Sequence, residues 1–326
     1  MIRVGVVRGG PSSEHDVSLK TGEAVLKHMP KDRYHAFDII ITRDGTLLFR
    51  GHPLSPQELP HHVDVIWNAL HGEFGEDGKF QQILEELGIP YTGSEPLPSA
   101  IGMHKVRTKE YAQSLGMLTA PDVHIERHEG DDAELDEYAD GLTKYIHNQF
   151  PGPWVIKPLS GGSSVGTSIT RSLFDLRYEL RKLIGITDVL VEQQIFGREA
   201  TVGVLEGYRG KKLYPFLPIE IQVPKERFFD FDMKYSGKAK EISPGHFPEA
   251  EKRELQRLAQ AIHDAVGLRH YSRSDFIVSP KGIYFLEVNT LPGLTEESLV
   301  PKAIKTVGGT LSEFIDHVLQ LAMKKR

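Results

Sequence analysis

The first hundred residues alternate short β-branched runs with stretches of helical character, and this alternation constrains the fold more than any other feature of the chain. IRVGVV (2–7) reads as a strand and is stopped by the turn-rich RGGPSSEHD (8–16). VSLKTGEAVLKHM (17–29) follows with helical spacing, offering Val17, Ala24, Val25 and Met29 for one face. AFDIIIT (36–42) and VDVIWNAL (63–70) are further buried-strand candidates, and KFQQILEELG (79–88) is a helix closed by Gly88. Strands separated by helices predict a parallel, doubly wound sheet with crossovers. Ligands of such sheets lie beyond the C-terminal strand ends. The two richest loops, RGGPSSEHD and HGEFGEDG (71–78), both follow predicted strands directly and fall there.

The pattern then changes. KVRTKEYAQSLG (105–116) is a helix, and the acidic HEGDDAELDEYADG (128–141) reads as a surface connection running into another. WVIKPLSGGSSVGTSI (154–169) is strand, Gly/Ser loop, strand, hence a hairpin; LFDLRYELRKLI (173–184) is a helix and VLVEQQI (189–195) a strand. From Gly197 strands dominate: EATVGVL, KLYPFLPIEI, SDFIVS and GIYFLEVNT. One amphipathic helix interrupts them, with Leu255, Leu258, Ala259, Ile262, Ala265 and Val266 as its core stripe. A last helix, TLSEFIDHVLQLAMKK, closes the chain. The expected organisation is an α/β domain over 1–102 followed by two α+β lobes, 103–190 and 191–326.

At 326 residues, 39% hydrophobic and 26% charged, the chain is of ordinary globular composition and long enough for two or three domains. It has no cysteine, which removes disulfide frameworks and thiolate chemistry. No apolar run approaches the roughly 20 residues of a membrane span, and no basic-then-apolar leader precedes MIRVGVV. A formal charge of -6 argues against nucleic acid as the main partner. A cytoplasmic enzyme without membrane association is the expectation.

Three groups of residues carry chemistry. GGSSVG (161–166), including Ser163 and Ser164, lies four residues after Lys157, and successive N–H groups in such a loop form an anion cradle. Alone it reads more readily as an ordinary hairpin turn; it is neither a P-loop nor a Rossmann fingerprint. In FLEVN, Glu287 and Asn289 project to one side of a strand, and Asp275 faces them if SRSDFIV pairs alongside. Two carboxylates and an amide oxygen make a hard, all-oxygen set suited to Mg²⁺. Asn289 could equally start a turn and Glu287 be solvated, but apolar neighbours mark the strand as buried, where a lone carboxylate is costly. Lys157 on an apolar strand needs an anion, Lys105 opens the second region, and Arg273 lies on the face of Asp275. Together these describe a phosphoryl-transfer site.

The motifs MHK at 103, WVIKPLSGGSSVG at 154, VEQQIFGREATVGV at 191 and FLEVNTLPGLTEESLVP at 285, with GGPSSEHDVSL and HGEFGEDG ahead of them, resemble in order and spacing the signatures of the D-alanine–D-alanine ligase family of ATP-grasp carboxylate–amine ligases. The resemblance runs from Gly9 to Pro301. It implies a two-lobed ATP-grasp fold behind the N-terminal domain, with ATP and two Mg²⁺ ions (or Mn²⁺) as cofactors, D-alanine as substrate and a homodimer. Carried over residue by residue, it implies that Lys105 and Lys157 bind ATP phosphates under the loop containing Ser163 and Ser164. Glu192 is expected at the adenine, Glu199 at the ribose, and Lys234 with the nucleotide. Asp275, Glu287 and Asn289 are expected to hold the metals. Glu14 is expected at the first substrate's ammonium with His71 nearby, and Ser298 and Leu299 at the second substrate's carboxylate. Arg273 and the Gly293 N–H form the expected oxyanion hole, while Ser163 and Tyr235 bond each other and Glu14 to latch the lid FFDFDMKYSG.

The chain departs from the family pattern at His104, where an acid is usual, at Phe229 and Phe231, where tyrosines are usual, at Ser243–Pro244–Gly245 and at Arg8. None removes a phosphate, metal or oxyanion residue. Two other readings remain: a sister ligase with D-lactate, D-serine or another acceptor, of which Tyr235 argues against the depsipeptide-forming case, and a non-catalytic nucleotide-binding relative, against which Arg273 and the metal set argue.

Overall fold

The structure, a computed structural model, describes residues 1–159, 166–222 and 240–324. Ser163, Ser164, Phe229, Phe231, Lys234 and Tyr235 therefore lie outside the described residues.

The N-terminal sheet contains β1 (Ile2–Gly9), β2 (Tyr34–Ile41), β3 (Leu47–Phe49), β4 (His52–Pro53) and β5 (Val65–Asn68), in the order β4-β3-β2-β1-β5. β1 runs parallel to both β2 and β5. α1 (His15–His28) makes the crossover from β1 to β2. β3 and β4 add an antiparallel edge that the sequence did not signal. Val4, Val6, Val7, Val65, Ile66 and Trp67 are all fully buried, as expected of parallel strands covered on both faces. The buried face of α1 matches the expected one only in part: Val25 and Met29 are buried as read, but Val17 and Ala24 are only half-buried, and His15, Ser18, Thr21 and Gly22 are buried instead. The reason is local. Gly22 lies against Arg8, where a Cβ would come within 2.5 Å of the arginine Cδ, so this face packs on a polar strand end.

Then come α2 (Leu59–His62), α3 (Lys79–Glu86), α4 (Pro96–Met103) and α5 (Lys105–Ser114). Gly88 closes α3 in a left-handed conformation, φ 64°. The two-residue β6 (Leu118–Thr119) does not join the central lobe but pairs in parallel with a C-terminal strand. The central sheet holds β7 (Asp122–Ile125), β8 (Trp154–Pro158), β9 (Ser168–Thr170) and β10 (Val189–Gln193), ordered β7-β10-β8-β9, with all neighbours antiparallel. Residue 190, the expected lobe boundary, thus falls inside β10. α6 (Asp132–Gln149) begins within the acidic stretch because Asp131 caps it: its carboxylate accepts from the Ala133 and Glu134 N–H, and Glu134 reciprocates. Leu135, Ala139 and Ile146 of α6 pack with Leu176 and Leu180 of α7 (Leu173–Leu183) against this sheet.

The C-terminal sheet is built from β11 (Arg198–Glu206), β12 (Leu213–Pro215), β13 (Ile219–Gln222), β14 (Lys240–Ile242), β15 (Tyr271–Ser279) and β16 (Gly282–Asn289). Its order is β14-β13-β11-β15-β16-β6, with β12 on β11. The run 212–221 is two strands, since Pro215 and Pro218 supply no ladder N–H. α8 (Glu249–Val266) covers one face; Leu255, Leu258, Ala259, Ile262 and Val266 are buried as read, but Ala265 is exposed and His263 takes the place in the stripe. α9 (Leu299–Thr306) and α10 (Leu311–Met323) then return to the N-terminal sheet. Phe314 of α10 meets Trp67 edge-on, with ring centroids 6.4 Å apart, and Tyr271 at 5.2 Å. One core therefore joins the beginning and end of the chain.

Candidate active site

β1 is the switch point of its sheet, with α1 leaving toward β2 on one side and β5 lying on the other. The loops after β1 and β5 therefore emerge side by side. Ser18 stitches them, accepting from the Gly9 N–H at 2.7 Å and donating to the Ala69 carbonyl at 2.8 Å. Ser12 donates to the His71 carbonyl at 2.6 Å. Glu14 and His71 are both buried here. Gly72, at φ 71°, is required: a Cβ would stand 2.9 Å from Glu14 Oε2.

His71 Nε2 lies 2.8 Å from Thr21 Oγ1, and Nδ1 lies 3.5 Å from Glu76 Oε1. Burial works against a charged imidazole, but the Glu76 hydrogen bond and the fields of Glu76 and Glu14 outweigh it, so the His71 pKa is raised. Burial, with the like charge of Glu14, also raises the Glu76 carboxyl against the pull of His71. The HGEFGEDG motif contains Glu76 but does not by its spacing assign a role to Glu76 or to Thr21. The available signal was the pairing of an acid five residues after His71 on the same ligand-side loop.

The second cluster belongs to the central sheet. β8 and β10 pair with Lys157 opposite Leu190 and Glu192 opposite Val155. Lys157 Nζ meets Glu192 Oε2 at 2.5 Å. Glu192 Oε1 takes a second lysine, Lys109 of α5, at 2.8 Å. Burial opposes the Glu192 anion, but the two ammonium groups dominate and hold its pKa down at about 2. Lys157 is shifted upward: burial disfavours its charge, while Glu192, Glu287 and Glu199 favour it more strongly. Glu287 and Glu199 belong to the C-terminal sheet, so Lys157 stands in the field of both lobes. The Glu192 carboxylate is engaged by lysines, a different placement from a carboxylate turned to a base. Lys109 was missed because a lysine in a polar helix reads as solvated.

The third cluster lies on β15 and β16. Their register sets Arg273 opposite Asn289 and Asp275 opposite Glu287, with a bulge after Asp275. Strand pairing thus brings together the four residues expected to meet. Arg273 grips Asp275 with both arms of its fork, Nε–Oδ1 3.0 Å and Nη2–Oδ2 2.8 Å. Thr201 of β11 donates to Asp275 Oδ1 at 2.5 Å. Asn289 Oδ1 accepts from the Leu291 N–H at 3.0 Å, so it also starts a turn. Among the described residues no three His, Cys, Asp or Glu side chains form a metal group. The candidate set rests on two directly opposed carboxylates and one amide oxygen. Such opposed anions fit a hard divalent cation, because like charges across a strand pair repel.

Gly293 and Ser298 close the remaining side. A Cβ on Gly293 would lie 2.9 Å from Ser298 Oγ and 3.8 Å from Thr21 Oγ1, the partner of His71. The first-domain and C-terminal clusters therefore meet at Thr21, and Arg273 is near enough for its charge to act on His71. Ser298 is the N-cap residue of α9, and Leu299 its first residue. Ser298 Oγ accepts from the Thr295 N–H at 3.1 Å. Lys105 is the first residue of α5, capped by His104, whose Nδ1 accepts from the Arg107 N–H at 3.4 Å. Burial and the Arg107 charge lower the His104 pKa. Arg8 is held by Asp38 through two bonds of 2.7 and 2.6 Å. Ser243 Oγ lies 2.6 Å from Thr306 Oγ1.

A doubly wound domain followed by two mainly antiparallel lobes, with lysines, carboxylates and an arginine converging between them, defines an enzyme of the ATP-grasp class. Family models described as "D-ala D-ala ligase N-terminus" and "D-ala D-ala ligase C-terminus" match residues 3–58, 48–94 and 111–320. A D-alanine–D-alanine ligase of Geotalea uraniireducens is 39% identical over 327 residues, covering 99% of this chain and 96% of the relative. The VanG D-Ala:D-Ser ligase of Enterococcus faecalis has the same fold, with TM-score 0.80, 28% identity and coverage of 99% of each chain. The Bacillus anthracis D-alanine–D-alanine ligase complexed with ATP matches at TM-score 0.78 and 28% identity, covering 99% of this chain and 98% of the other. The chain belongs to the D-alanine–D-alanine ligase family.

Proposed function

We propose that this protein joins two D-alanines in an ADP-forming reaction, with the product destined for peptidoglycan precursors. The observation that carries this reading is the register of β15 and β16, which sets Asp275 opposite Glu287 and Arg273 opposite Asn289, within the field of Lys157 and beside the His71 corner. A phosphoryl donor, a carboxylate and an amine would be held in one cleft.

In this scheme Lys105 and Lys157 bind the ATP phosphates, Glu199 binds the ribose, and Glu192 sits at the adenine end while pairing with Lys157. Lys234 and Ser164 add nucleotide contacts. Asp275, Glu287 and Asn289 hold Mg²⁺, which when bound neutralises phosphate charge. Glu14, with His71 beside it, takes the ammonium of the first D-alanine. The carboxylate oxygen of that first D-alanine attacks the γ-phosphorus, the bond to ADP breaks, and a D-alanyl phosphate forms. Ser298 and Leu299, at the start of α9, seat the carboxylate of the second D-alanine, as helix N-termini favour anions. Its amine, once deprotonated, attacks the acyl carbon. Arg273 and the Gly293 N–H stabilise the oxyanion, and the C–O bond breaks to release phosphate. Ser163 and Tyr235 latch the lid to Glu14, keeping water from the acylphosphate.

No described helix is long and apolar enough to cross a membrane. Cytoplasmic location and a homodimer complete the proposal, the latter tested by light scattering. The decisive experiment supplies ATP and Mg²⁺ with D-alanine alone, then with D-alanine paired with D-serine or D-lactate, reading ADP and product mass. Dipeptide formation from D-alanine alone is expected. ADP release only with a second acceptor would replace the reading by a sister ligase, and no release with any pair would overturn it.

A further inference from the structure

Lys109 lies in the interior of α5, four residues after Lys105, in a helix rich in polar side chains. Such a lysine ordinarily points to solvent. Here it is only 3% exposed, and three acceptors surround its ammonium: Glu192 Oε1 at 2.8 Å, Asp122 Oδ1 at 2.8 Å and the Ala120 carbonyl at 2.9 Å. Two hydrogen bonds, to Glu192 and the Ala120 carbonyl, and an ion pair with Asp122 thus occupy the ammonium. Glu192 is shared: one oxygen serves Lys109 and the other serves Lys157. Two lysines and two carboxylates balance in charge. Without Lys109, both oxygens of a buried carboxylate would turn to Lys157, drawing that ammonium into a tighter pair and away from any incoming anion.

We propose that Lys109 is a positioning residue for nucleotide phosphates, acting through Glu192 to keep Lys157 on one carboxylate oxygen with its other N–H donors directed to the ligand. Lys109 also ties α5 to the central sheet, so Lys105 and Lys157 are held in one frame although they belong to different elements. The inference rests on reading Lys157 as a phosphate ligand and goes beyond it by assigning a residue that would not itself touch the nucleotide.

The test is calorimetric binding of AMP-PNP with Mg²⁺, and of adenosine, to the full chain, which needs no turnover. Lys109→Met is expected to weaken AMP-PNP at least tenfold and adenosine less than twofold, while Lys109→Arg restores AMP-PNP to within threefold of wild type. A parallel loss for both ligands, unchanged AMP-PNP affinity with a lowered Tm, or an Arg variant as weak as the Met variant would overturn the proposal. If Lys109→Met does not fold, Lys109→Gln, which keeps donors but not charge, is expected to show the same selective loss, at least threefold. Wild-type protein that binds AMP-PNP no more tightly than adenosine would instead overturn the reading of Lys157. A wild type that discriminates, with Lys109→Met and Lys109→Gln discriminating equally, would overturn the role of Lys109 alone.

Discussion

Asp275 and Glu287 are direct partners across the antiparallel pair β15–β16, a buried and a half-buried carboxylate at one rung of the ladder. Arg273 and Thr201 both contact Asp275, and Lys157 lies within the field of Glu287. The arrangement makes sense as a cation-holding rung. Glu287→Gln is expected to keep the fold and lose nearly all turnover, with loss of any thermal stabilisation that Mg²⁺ and nucleotide give the wild type. Wild-type rate at saturating Mg²⁺ would remove Glu287 from the metal set.

Glu192 makes stability depend on pH in a defined window. Its carboxyl falls from 4.5 to about 2 on folding, because two buried lysines outweigh its desolvation. A depressed carboxyl contributes stability that is fully present above about pH 4.5 and is lost as pH falls toward 2. At about 1.4 kcal/mol per pKa step, the contribution is on the order of 3 kcal/mol. Glu192→Gln should therefore be less stable than wild type above pH 5, with the gap closing as the pH falls from 4.5 to 2. Denaturant unfolding at several pH values measures it, and a gap independent of pH would refute the coupling.

Glu76 holds His71 toward its charged form against burial. Glu76→Gln should lower the His71 pKa, visible in an imidazole NMR titration. A raised histidine pKa contributes stability below about pH 6.5 that is lost as pH rises through the folded value. The variant should lose stability mainly on the acidic side of neutrality. An unmoved His71 resonance would show that Glu76 does not set its charge.

His104 caps α5 through a ring nitrogen that must be unprotonated to accept from Arg107. Aspartate is a stronger N-cap, and caps are worth about 0.5–2 kcal/mol. His104→Asp should raise Tm modestly while changing turnover less than about tenfold, or 1.4 kcal/mol. A loss of several orders of magnitude would make His104 part of the chemistry.

Gly72 lies at φ 71° with Glu14 2.9 Å from where a Cβ would stand. Gly72→Ala should strain the loop and displace Glu14, raising KM for D-alanine more than KM for ATP. Equal effects on both constants would separate Glu14 from the first substrate.

The sequence by itself determined which local elements form and which side chains share a face. Period-two spacing put Glu287 with Asn289 and Arg273 with Asp275, and β-branched runs interrupted by helices required a parallel sheet with loops at one end. The Gly/Ser loop after Lys157 and the ordered motifs named the family. What the sequence did not determine was which distant charges meet. Lys109 and Glu192 are separated by 83 positions, Thr21 and His71 by 50, and Arg8 and Asp38 by 30. Their pairing depends on strand order, register and the packing of α5 and α1, which no local period encodes. Nor did α10 announce that its Phe314 would complete the core of the first sheet. Its apolar face specified burial but not the partner, because hydrophobic attraction is non-directional and tertiary topology alone decides which surfaces meet.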